Sequence, residues 1–175
     1  MRRKKSILAL LQGGDRRSIG RSDQVAAIVS GNPKLFSILV GGLWSEDPLV
    51  RMRAADAAEK VTREDPHLLK PYKKELLGLM GETAEAEVRW HLAVMVPRLV
   101  LNPGERRLAA RLLGNYLKDR GSIVKTFALE GLADLARNDS ELRSGVIEIL
   151  RQAVRTGTPA MKARSRKLLS RLEMV

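Results

Sequence analysis

Apolar residues in this chain recur on one face of successive helices. With Val50, Val88, Val124 and Met161 as position zero, the repeats are 38, 36 and 37 residues apart. Position +4 is Ala54, Leu92, Ala128 and Ser165; position +8 is Ala58, Val96, Leu132 and Leu169; position +11 is Val61, Leu99, Leu135 and Leu172. Offsets of 0, 4, 8 and 11 fall on one stripe of a helix with about 3.6 residues per turn. Ser165 alone interrupts the apolar pattern.

Each such helix is predicted to have a partner upstream, marked by an apolar pair one turn apart: Leu39 and Leu43, Leu76 and Met80, Leu113 and Leu117, Leu150 and Val154. The connections Ser45–Asp47, Gly81–Ala84, Asp119–Gly121 and Thr156–Thr158 are short, which makes the two helices antiparallel neighbours. Pro33, Pro48, Pro103 and Pro159 fall where helices should begin, and Pro71 lies near such a start. Pro97 falls inside a helical pattern and predicts a kink or an early end. A further helix is expected around Asp23–Ser30, as a cap. Residues 12–21, Gln-Gly-Gly-Asp-Arg-Arg-Ser-Ile-Gly-Arg, read as a flexible linker behind a basic arm, giving an arm and linker over 1–21 and a helical domain over 22–175.

A period near 37 residues with one helix pair per period resembles the HEAT-repeat, armadillo-like family. The block from Leu43 to Ala58 carries the turn Asp47-Pro48, then Val50-Arg51 and an Ala-rich helix. The resemblance covers about residues 33–173; the later repeats lack Asp-Pro at the turn. It implies an all-α fold, a right-handed α–α superhelix of about four helix pairs with an N-terminal cap. It also implies that the basic residue after position zero (Arg51, Arg89, Lys125, Lys162) is a structural rung bonded to turn groups, with Asp47 and Asp119 as partners. Scaffolds of this kind serve many roles, so the resemblance speaks mainly to fold.

The formal charge of +12 changes meaning once it is mapped. Residues 1–21 carry seven Lys/Arg against one Asp, and residues 160–175 carry five Lys/Arg against one Glu. Residues 22–159 are near neutral, with twenty against eighteen. That distribution does not describe a uniformly basic groove for a duplex. The chain has no Cys, so thiolate metal sites and cysteine nucleophiles are excluded, and a cytoplasmic location is expected. Neither His67 nor His91 has a second ligand at metal spacing, so no metal or cofactor is expected. The apolar run Ile7–Leu11 is shorter than the ~7–15 residues of a secretion signal, and nothing approaches the ~20 of a membrane span.

A candidate binding face lies off the core stripe, at +2, +3, +6 and +10. It offers Arg53, Lys60, Trp90, His91, Arg98, Phe127, Glu130, Asp134, Arg164, Lys167 and Arg171. Its mixed charge and aromatic anchors favour a protein partner, and a non-catalytic binding scaffold is the leading expectation. Nucleic-acid binding through the basic ends, including Arg2-Arg3-Lys4-Lys5, is the alternative. No small-molecule substrate is indicated. HEAT-like solenoids include DNA glycosylases and bilin lyases, which leaves a minor enzymatic reading, with Glu130 or Asp134 as the acid beside Phe127 and Trp90 but no motif matched residue by residue.

Overall fold

The computed structural model describes residues 6–174, and Arg2–Lys5 of the expected basic arm lie outside them. Regular structure among the described residues is entirely helical, with nine α-helices joined by turns and short 3-10 segments. The chain divides into two compact units, the first ending at Pro71 and the second beginning at Tyr72.

In the first unit a 3-10 turn at Ile7–Leu10 precedes α1 (Ser22–Gly31), α2 (Phe36–Gly41) with a 3-10 turn at Gly42–Trp44, and α3 (Pro48–Glu64). Both α1 and α2 pack on α3. Helix α3 begins where Asp47 accepts a hydrogen bond from the Leu49 amide and Pro48 fills the first helical position. Ala54, Ala55, Ala57 and Ala58 are all buried, because short side chains let neighbours approach the helix closely.

The expected linker 12–21 follows a path of turns set by three glycines. Gly13, Gly14 and Gly20 take φ of +76°, +80° and +57°. The segment turns back over α3, and Ile7 and Leu11 just before it are in the core. Burial therefore continues on the N-terminal side of the boundary expected at residue 21.

The second unit contains α4 (Lys73–Glu82), α5 (Ala86–Met95), α6 (Pro103–Tyr116), α7 (Ser122–Ala136), α8 (Ser140–Thr156) and α9 (Pro159–Glu173). Helices α4 and α5, α6 and α7, and α8 and α9 pack as consecutive pairs, while α5, α7 and α9 form a contiguous row with α7 in the middle. The row is tight at Gly131, where a β-carbon would stand 2.2 Å from the Ala93 carbonyl oxygen of α5. Pro97 ends α5 early: the helix stops at Met95 and a 3-10 turn, Val96–Arg98, follows. The Tyr116 hydroxyl donates to the Met80 carbonyl at 2.9 Å, tying α6 to α4. Burial pushes the Tyr116 pKa above its ordinary value, against the nearby Arg89 charge.

The repeat positions read from the sequence fill the core of both units. Val50, Val88 and Val124 are each 1% exposed. Four members of the pattern, Leu117, Val154, Met161 and Leu169, are only half-buried. Ser165 is fully buried, and its hydroxyl makes no hydrogen bond among the described residues.

Candidate functional site

The two members of the expected binding face that lie in the first unit, Arg53 and Lys60, are not open to a partner. Arg53 is 2% exposed and cannot meet a partner. Its guanidinium donates to four backbone carbonyls: Leu11 at 2.7 Å, Gly13 at 2.6 Å, Asp15 at 3.0 Å and Ser18 at 3.2 Å. A buried charge is tolerated only when its donors are met, and the turn 11–18 meets them. Lys60 is also committed, bonding Asp23 of α1 at 2.5 Å and Asp56 at 2.6 Å. Ser22 of α1 donates to the same Asp56 carboxylate. Burial works against the Lys60 charge, but hydrogen bonds and charges from Asp23 and Asp56 outweigh it and raise its pKa.

The other nine residues all lie on α5, α7, α9 and the turn after α5. Trp90 and Phe127 stack across α5 and α7, with ring centroids 5.0 Å apart and planes 25° from parallel. Arg164 of α9 reaches over the Phe127 ring, its Cζ 5.8 Å from the centroid. The same guanidinium bonds Glu130 at 2.7 Å. An aromatic–cation–carboxylate chain thus crosses three helices, each contact joining residues one repeat apart or less. Trp90 also stacks on His91, whose centroid is 3.4 Å away. His91 itself is buried, with Nδ1 2.5 Å from the Glu87 carbonyl one turn earlier, so it packs beneath Trp90 instead of facing a ligand.

Asp134 occupies the middle of the row, half-buried on α7. Burial raises its pKa, and the Glu130 carboxylate raises it further; Arg137, Arg171 and Arg98 pull it down without cancelling the rise. The Asp134 carboxylate accepts no hydrogen bond among the described residues. Lys167 and Arg171 project from α9 into solvent. A cavity of about 140 Å³ beside Asp134, walled by Arg106, Leu101 and Asn138, is smaller than the ~300 Å³ at which ligand pockets begin. No cluster of three or more potential metal ligands occurs among the described residues.

The rung residues divide by side-chain chemistry. Arg51 donates to the Ser45 and Glu46 carbonyls at 2.6 and 3.0 Å. Arg89 donates to the Thr83 carbonyl at 2.8 Å and to Asp119 at 2.7 Å, joining its own turn to the next. Burial works to raise the Asp119 pKa, but the Gly121 amide and Arg89 outweigh it and hold it low. The Lys125 and Lys162 ammonium groups make no hydrogen bond among the described residues; an ammonium lacks the fork that reaches two acceptors at once.

Two further rungs, Arg106 and Arg143, lie outside the set expected from the repeat. Arg106 bonds Asp139 at 2.9 Å and the Leu101 carbonyl at 3.1 Å, and Arg143 bonds the Arg137 carbonyl at 2.7 Å. The signal was present: Arg51, Arg89, Arg106, Lys125, Arg143 and Lys162 are each the fourth residue of their helix. A cation there opposes the helix dipole, so reaching back to carbonyls before the helix offsets that cost.

No family model matches this chain, and no curated protein matches it. One solved structure does, a crystal structure of an engineered protein from the Northeast Structural Genomics Consortium. The match has a TM-score of 0.64 at 17% identity and covers 97% of this chain and 80% of the other. At that identity the likeness is one of fold. No helix among the described residues is long and apolar enough to cross a membrane.

Proposed function

We propose that this chain is a HEAT-type solenoid and a non-catalytic scaffold, whose α5–α7–α9 row binds an extended acidic segment of a protein. The observation that carries this reading is Asp134. It is a half-buried carboxylate without a hydrogen-bonded partner, placed among Arg98, Arg137 and Arg171. Perturbed groups of this kind concentrate at functional surfaces. Arg98, Lys167 and Arg171 suit carboxylates at the edges of the row, while Trp90 and Phe127 offer an aromatic anchor at one end. Glu130 and Asp134 in the middle repel a continuous run of negative charge, so the segment's carboxylates must fall at the edges of the row, a spacing the unbroken phosphates of a duplex do not offer. The cavity beside Asp134 is too small for a substrate, which argues against the enzymatic reading.

A panel of acidic peptides tests this by fluorescence anisotropy. Binding that is lost on Arg171→Glu and Arg98→Glu supports the proposal. Binding that ignores both substitutions, or is absent throughout the panel, rejects it. A second reading is favoured by the exposed cations Arg166, Lys167 and Arg171 of α9: contact with a nucleic-acid strand at the basic end. That reading requires affinity for DNA or RNA that falls steeply with salt.

A further inference from the structure

Three of the four pattern residues left half-buried belong to one end of the second unit, at the end of α6 and on α8 and the start of α9. Leu117 occupies the place held by Leu43 and Met80, each 1% exposed, and Met161 the place held by Val50, Val88 and Val124. Here the core stripe of the repeat is not closed. A groove of about 530 Å³ opens instead, floored by Leu117, Leu129, Ala153 and Met161 and walled by Ile149. Its size falls within the ~300–1,000 Å³ of small-molecule sites.

The groove is aliphatic throughout, and its polar groups lie along one rim on α8: Glu148, Gln152, Arg155 and Thr156. Their charges are not equivalent. Glu148 is paired with Arg151 at 2.8 Å, which also reaches Glu173 at 3.4 Å. Arg155 donates only to the neutral amide of Gln152, at 2.9 Å, and has no carboxylate partner among the described residues. The rim therefore presents one uncompensated cation beside an aliphatic trough. An aromatic ligand finds no ring to stack on there, and a cation finds its nearest carboxylate already paired.

We propose that this groove binds a free long-chain carboxylate, its alkyl chain along Leu117, Ile149 and Met161 and its head group on Arg155. Burial of the chain supplies affinity that grows with each methylene removed from water, and Arg155 selects the charge.

The test uses the full chain with dodecanoate, dodecanol and dodecyltrimethylammonium, each below its micellar concentration. Titrations are followed by methyl NMR. Dodecanoate is expected to shift the signals of Leu117, Ile149 and Met161 and to bind at least tenfold tighter than either analogue. Arg155→Glu, a change on an exposed side chain, is expected to remove that preference, and Ile149→Gln to weaken all three ligands. Equal binding of the three amphiphiles, shifts confined to the Trp90 face, or no binding would each overturn the proposal. So would a dimer in sedimentation that Ile149→Gln abolishes, since the groove would then belong to a second copy.

Discussion

Gly20 lies against the guanidinium of Arg53, so close that a β-carbon there would stand 2.8 Å from both Cζ and Nε. Its φ of +57° is also one that L side chains rarely adopt. The turn and the arginine therefore depend on each other. Gly20→Ala should lower stability by about 2 kcal/mol, from left-handed strain and displacement of Arg53. Arg53→Lys keeps the charge and loses the fork. It should expose the turn, and trypsin should then cut at Arg16 and Arg17 faster than in the native chain. Urea unfolding and timed proteolysis check both outcomes, and unchanged cleavage in Arg53→Lys would show that the turn holds itself.

Helices α5 and α7 approach so closely at Gly131 that any side chain meets the Ala93 carbonyl. Gly131→Ala would ordinarily favour a helix by up to ~1 kcal/mol. Here it should destabilise by about 2 kcal/mol, because backbone cannot yield as a side chain does. Thermal unfolding decides the sign.

Ser165 is the one residue that breaks the apolar pattern at a core position of the repeat. Its hydroxyl is buried without a partner, a cost of about 1–3 kcal/mol. Ser165→Ala should raise stability by about 1 kcal/mol. A loss on this substitution would show that the hydroxyl is satisfied in solution.

These elements show how far the sequence alone could reach. The starts of α3, α5, α7 and α9 at Pro48, Ala86, Ser122 and Pro159 follow from periodicity, because burying one stripe demands that spacing. The aromatic–cation chain was legible as residues on one face. Which face positions stay open was not, because that depends on what folds over them. The turn 11–18 closes over Arg53, and α1 covers Lys60 through Asp23. Nothing in local spacing announces that a glycine-rich stretch will supply carbonyls to an arginine 35 to 42 residues later. The groove at Leu117 and Met161 was hidden for the opposite reason: a pattern marks where apolar residues fall, not whether neighbours arrive to cover them.

Asp134 gives a pH signature. Its folded pKa is raised, so its contribution to stability is fully present below the unfolded carboxylate value of about 3.9 and is lost as pH rises through the folded value. Asp134→Asn stays neutral throughout. The variant should match the native chain near pH 3 and unfold at a higher temperature at pH 7, with the gap opening between. A gap of equal size at both pH values would show that the substitution acts by packing rather than by charge.

The α5–α7–α9 row as a protein-binding surface is tested most directly by NMR of the full chain titrated with the tightest acidic peptide from a panel. Shifts are expected at the Trp90 indole and the Arg98 and Arg171 side chains, with affinity reduced at least tenfold by Arg171→Glu. Shifts that avoid these three residues, or an affinity that Arg171→Glu leaves intact, would contradict it.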